Sequence, residues 1–259
     1  YSTLEPDGRS CWLPVGSLEV AWTEERLQEL KRKVGVAKSW GTEAEVISAG
    51  EARDKLALLS NKIRGAMYVP ADGIAKAVLA AETMASEAKA NGASFHEDTR
   101  VTDIEVANGR VRAVQTTGGR IETDTVLVAA GIWGPRVGQM AGVPIPLYPM
   151  QHLLAWTAPL PELKGATAEA THPILRDPDK NTYFRQRREG YAIGSYQHEP
   201  IPTEPEDILT HENAQGTPAI MPWTPSDFHG ALQAAGELLP PLREVELIEK
   251  YNGLFSFTP

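Results

Sequence analysis

Hydrophobic and polar residues change period along this chain, and each change marks an element. Residues 15–22 read as a strand, and Thr23 stands where a helix N-cap belongs. Leu27, Leu30, Val34 and Ala37 then return at helical spacing until Gly41. Ser48 and Glu51 form an S-x-x-E capping box that opens a short helix through Leu56. Asp72 reads as the cap of the next helix, with Ile74, Ala77, Val78, Ala81, Met84 and Ala88 as its buried stripe. Asn91-Gly92 ends it, and its many alanines imply close packing against a sheet.

The period then shortens. Val101, Ile104 and Val106 lead to Asn108-Gly109, a tight-hairpin signal; Val111 and Val114 lead to a second turn at Gly118-Gly119, with Ile121 beyond. The result is a three-stranded antiparallel meander. Residues 125–130 follow at once, apolar on both faces, and predict a central strand. Gly131-Ile132-Trp133-Gly134-Pro135 turns this strand into a short helix over residues 136–141. Prolines at 144, 146, 149, 159 and 161 mark a passage between lobes. Beyond it, strands are expected over residues 152–157, 182–186 and 191–196, then a proline-rich loop over 200–205. Pro225 starts a helix carrying Phe228, Leu232, Ala235 and Leu239, and Pro240-Pro241 stops it.

Composition narrows the options. The 259 residues allow one large domain or two ordinary ones, and 42% apolar with 23% charged residues is globular. No apolar run approaches the roughly 20 residues of a membrane helix, and no signal peptide is visible. A net charge of -9 argues against nucleic acid as a partner. The basic run Lys31-Arg32-Lys33 falls on the C-terminal half of a helix, where cations are favoured. A single cysteine, Cys11, forms no internal disulfide, which fits a reducing, cytoplasmic setting. It reads as a half-buried strand residue rather than a catalytic thiol.

Several chemistries are absent from this pattern. His211-Glu212 lacks a second histidine, and the six histidines are otherwise dispersed, so no metal site is expected. There is no G-x-S-x-G elbow and no G-x-x-x-x-G-K-[ST] loop. Ala129-Ala130-Gly131 admits two readings. Either a dinucleotide lies against main chain that carries almost no side chains, or this is an ordinary strand-to-helix turn.

The segments VPADGIAKAVLAAE, RVTDIEVANGRVRAVQTTGG, VLVAAGIWG and YNGLFSFTP together resemble the D-amino-acid-oxidase-type flavoprotein superfamily. Within it they are similar to the dimethylglycine oxidase and dehydrogenase branch, with the sarcosine dehydrogenases. The likeness covers essentially the whole chain, as an internal portion of a longer protein. It implies an α/β fold: an incomplete FAD-binding domain of the glutathione-reductase-like type with its meander, plus an antiparallel-sheet substrate domain of α+β character. The implied boundaries are 1–62 and 146–250 for the substrate domain, with 63–145 and 251–259 for the FAD-binding domain.

The implied cofactor is FAD, with its G-x-G-x-x-G loop and any covalent histidine attachment lying before Tyr1. A C-terminal tetrahydrofolate domain is a further possibility within the branch. The implied reaction is oxidation of a small secondary or tertiary amine, such as dimethylglycine or sarcosine. Other flavin substrates, or a non-catalytic portion lacking the nucleotide loop, are the alternatives. By position in the family, His152 and Tyr183 are the catalytic candidates. The branch commonly shows His-Gln-Tyr where this chain has His152-Leu153-Leu154. Val101, Ala129, Ala130, Gly131, Trp133, Gly253, Phe257 and Thr258 are the candidates for holding the cofactor, Trp133 either covering the flavin or plugging the lobe junction. Phe255 is assigned to the core.

Overall fold

Strand and helix signals in the chain translate into fourteen strands and five α-helices in the computed structural model, which describes residues 1–210, 213–214 and 216–258. The strands are β1 Trp12–Leu13, β2 Ser17–Ala21, β3 Glu45–Ser48, β4 Gly65–Val69, β5 Ile74–Ala75, β6 Val101–Ala107, β7 Arg110–Thr116 and β8 Gly119–Glu122. They continue as β9 Tyr148–Thr157, β10 Ile174–Asp177, β11 Thr182–Arg187, β12 Gly190–Ser195, β13 Ile220–Met221 and β14 Leu247–Phe257. The helices are α1 Glu24–Ser39, α2 Ala49–Lys55, α3 Ala77–Ala90, α4 Gly134–Met140 and α5 Pro225–Leu238. The His211-Glu212 pair lies outside the described residues.

The chain divides into two compact units. The first comprises Tyr1–Ala88, Leu153–Glu199 and Trp223–Tyr251. Its strands follow the order β9-β12-β11-β10-β2-β4-β3, antiparallel throughout except for the parallel pair β10 and β2. The core is built from inward residues of these strands, Leu18, Leu175, Phe184 and Ile193, against Phe228, Ala231, Ala235 and Leu238 of α5. On β11 burial alternates residue by residue, so Thr182, Phe184 and Gln186 face inward while Tyr183, Arg185 and Arg187 share the other face. Thr23 caps α1 by accepting from the Arg26 amide, and Ser48 with Glu51 makes the capping box of α2. Cys11 is fully buried beside β1, with its Sγ 4.0 Å from Thr83 Oγ1.

The second unit comprises Lys89–His152, Pro200–Pro222 and Asn252–Pro259. Its meander runs β6-β7-β8. Asn108 (φ +54°) and Gly109 (φ +69°) both take left-handed conformations, as the tight turn between β6 and β7 requires. Ile104 and Ala113 form its buried side, while every residue of β8 is exposed and Arg120 pairs with Glu105 and Glu122.

Two expectations are corrected. Asp72 does not cap α3: its Oδ1 accepts from the Gly73 amide at 3.0 Å, and the following residues pair Ile74 with Leu13 and Ala75 with Trp12 as β5. The chain therefore turns and forms a short strand before α3 begins at Ala77. Of that helix only Ala80 is buried, and Val78 is 73% exposed, so the alanine face is not packed as expected. Residues 125–130 are likewise not a central strand. They join no ladder among the described residues, and Leu127 is 90% exposed. A run apolar on both sides forms a central strand only when strands flank it and layers cover it.

Candidate functional site

The turn after residue 130 is a 3-10 turn, Gly131–Trp133, leading directly into α4. Gly131 has φ +51°, a conformation open to glycine at little cost. A methyl group added there would meet only Ser256 Oγ, at 3.9 Å. This corner is therefore bare main chain with room beside it. Ile132 anchors it in a small core with Ile208 and Leu254, against which Trp133, Ala219 and Met221 pack.

Leu254 ties that core to the end of β14. Met221 and Ile220 pair with Asn252 and Gly253, and the Leu254 amide donates to Ala219 O at 2.9 Å. Asn252 is fully buried; its Nδ2 donates to Gln151 Oε1 at 2.7 Å and to Pro222 O at 2.8 Å. Gln151 Nε2 in turn donates to Thr203 Oγ1 at 3.0 Å, and its amide donates to Ile201 O. This chain of hydrogen bonds fixes the residue next to His152.

His152 itself is 8% exposed. Its ring meets Phe255 edge-on at 5.1 Å and 81°, and Phe257 at 5.2 Å and 42°. Phe255 and Phe257 remain 44% and 42% exposed, so Phe255 is not a core residue. The i, i+2 alternation of a strand carries the reason, since Phe255 and Phe257 share one face. Ser256 between them is the residue nearest the Gly131 corner. The end of β14 thus borders both features, with Ser256 beside Gly131 and with Phe255 and Phe257 against His152. A side chain at Gly253 would meet nothing within 4 Å, so the backbone there is also accessible. Val101, half-buried, starts β6 opposite Thr116 in the same unit; Ala129 and Thr258 are exposed and Ala130 is half-buried. Gln151, Asn252, Phe255 and Ser256 were missed by sequence reasoning, and only the strand alternation at Phe255 offered a signal.

Tyr183 belongs to the first unit. It is half-buried, opposite Gly194 on β12, with the Tyr196 ring 5.3 Å away at 34°. Burial raises the phenol well above its ordinary pKa, and Tyr196 beside it adds to the effect. On the same face, the Arg185 guanidinium lies 5.1 Å from the centre of the Trp156 ring, and burial lowers its pKa. Among the described residues, no three His, Cys, Asp or Glu side chains gather as a metal site, and no helix is long and apolar enough to cross a membrane.

Bare main chain at the corner that leads into α4, a meander before it and aromatic rings beside a buried imidazole suit a flat, dinucleotide-sized group; these residues fit FAD. The chain belongs to the DAO family of FAD dependent oxidoreductases, whose model matches residues 2–259. It is 33% identical over 196 residues to the mitochondrial sarcosine dehydrogenase of Mus musculus, covering 73% of this chain and 21% of that protein. To the mitochondrial dimethylglycine dehydrogenase of Mus musculus it is 29% identical over 246 residues, covering 94% of this chain and 28% of the relative. The chain thus spans less than a third of either relative's length. Among solved structures, the L-proline dehydrogenase of P. horikoshii superposes with a TM-score of 0.80 at 23% identity, over 96% of this chain and 62% of that one. That likeness shows the fold, a mixed α/β architecture.

Proposed function

We propose that this chain is an internal portion of an FAD-dependent amine oxidoreductase acting on N-methylated glycine derivatives such as dimethylglycine or sarcosine. The observation that carries the reading is the open main-chain corner at Gly131, which stands in a chain whose residues 2–259 match an FAD-dependent oxidoreductase family. The names of the relatives agree with it: sarcosine and dimethylglycine dehydrogenases are N-methylglycine enzymes.

In this proposal residues 63–145 and 251–259 hold FAD, and residues 1–62 and 146–250 hold the amine. Ala129, Ala130 and Gly131 offer bare backbone to the dinucleotide, Val101 offers its main chain to the adenine, and Trp133 covers part of the ring system. Gly253, Phe257 and Thr258 border the isoalloxazine. FAD, when bound, supplies the acceptor for a hydride from the carbon next to nitrogen, and water or tetrahydrofolate captures the resulting one-carbon unit. His152 keeps the amine unprotonated, a task suited to a group that exchanges protons near neutrality. The Phe255 and Phe257 rings hold its imidazole in place and keep water from it. Tyr183, a protonated phenol whose pKa burial raises further, donates a hydrogen bond to the substrate carboxylate. Covalent flavin attachment and a folate-binding domain, if the protein has them, lie outside these residues. A cytoplasmic setting is part of the proposal, supported by the lone buried Cys11, although the two dehydrogenases compared above are mitochondrial.

The test is His152→Ala in the full-length, flavin-loaded protein. Anaerobic flavin reduction by dimethylglycine or sarcosine should slow by about 100-fold or more, the usual contribution of a general base. An unchanged reduction rate would remove His152 from this role.

A further inference from the structure

The phenol of Tyr183 rests on a residue that has no side chain. Tyr183 and Gly194 are direct cross-strand partners, and the ring lies across the glycine. A methyl group at 194 would sit 2.0 Å from Tyr183 Cζ, 2.3 Å from Cε2 and 2.5 Å from the hydroxyl oxygen. No real Cβ tolerates such distances. The main chain does not explain the glycine: Gly194 is buried within β12, pairs with Leu154 on its other side, and has no left-handed φ. A strand interior of this kind favours β-branched residues, and glycine weakens it. The space that a side chain would fill is filled by the phenol.

We propose that Gly194 is a positioning residue, whose bare Cα lets the Tyr183 ring lie down on the sheet and fixes the direction in which its hydroxyl points. Tyr196 braces the ring from a centroid distance of 5.3 Å. The inference rests on the reading of Tyr183 as a substrate-contacting residue, where a displacement of about 1 Å can cost on the order of 100-fold in rate. Burial of the phenol in this flattened pose also raises its pKa.

The experiment places 3-fluorotyrosine at position 183 of the full-length protein and compares parent with Gly194→Ala by fluorine NMR and pH titration. The alanine should shift the resonance and lower the phenol's titration midpoint toward that of the free amino acid, because the ring is lifted off the sheet. An unmoved resonance with an unmoved titration would overturn the proposal. A melting comparison in the Tyr183→Ala background stands beside it. There the same Gly194→Ala change should leave the melting temperature nearly unaltered, whereas an equal loss in both backgrounds would overturn the coupling. If Gly194→Ala alone fails to fold, recovery of folding in the double variant supports the proposal, and failure of both overturns it. Turnover of Tyr183→Phe separates the two ideas. Full activity there would remove the tyrosine from catalysis, while the fluorine signal would still report whether Gly194 sets the ring.

Discussion

Phe184→Ala tests the register on which the whole substrate face depends. Phe184 has no exposed surface, sits between Leu175 on β10 and Ile193 on β12, and belongs to the core beneath α5. A phenylalanine ring of at least ~150 Å² removed from water contributes roughly 4 kcal/mol at about 25 cal/mol per Å². Its neighbours are held by strand pairing and cannot collapse fully into the gap, so a loss of about 4–5 kcal/mol is expected. Against a total stability of about 5–15 kcal/mol this is severe, and it should lower the melting temperature by roughly 8–20 °C. Thermal unfolding of the full-length protein, followed by circular dichroism, provides the measurement. Because side chains alternate across a strand, a one-residue slip of β11 would exchange the surroundings of Phe184 and Tyr183. A Phe184→Ala variant melting within about 2 °C of the parent, with Tyr183→Ala as the costly change, would refute the assignment of faces.

Asp177→Asn should show a pH-dependent difference from the parent. The Asp177 carboxyl is almost fully buried and accepts from Trp22 Nε1 at 2.7 Å; burial raises its pKa above 3.8, partly offset by that bond. A raised carboxyl pKa means the folded protein favours the protonated form. That stability is present below the ordinary value and lost as pH rises through the folded one. Asparagine keeps an acceptor for Trp22 without the charge, so the variant's melting temperature relative to the parent should climb from acid to neutral pH; a constant gap would contradict this. Gly109→Ala places a side chain where φ is +69° and should cost about 1–2 kcal/mol in a urea unfolding curve, with an unchanged midpoint counting against the turn assignment.

Local signals carried most of the fold. The caps at Thr23 and Ser48, the Asn108-Gly109 turn and the Pro225 helix start each depend on a few neighbouring residues, and each is found where the pattern places it. The misreadings concern elements whose state depends on what lies beside them. The spacing of Ile74 suits a helix, yet its pairing with Leu13 makes it a strand residue. Residues 125–130 carry the composition of a buried strand without, among the described residues, the neighbours that would make them one. At the candidate site, His152 and the corner at Gly131 were legible through resemblance to a family. The hydrogen bonds from Thr203 through Gln151 to Asn252 join residues 52 and 101 positions apart, and no short motif announces them. Phe255 could have been assigned from alternation with Phe257, but its apolar character pointed to the interior instead.

The last ribbon of the meander has a consequence for crowded conditions. β8 turns Gly119, Arg120, Ile121 and Glu122 to water, with Arg120 held between two carboxylates. Another molecule seeking to zip onto that rim would have to strip hydration from three charges in return for a single isoleucine. Such a border discourages fibrous stacking, and it does so by keeping the rim wet rather than by covering it.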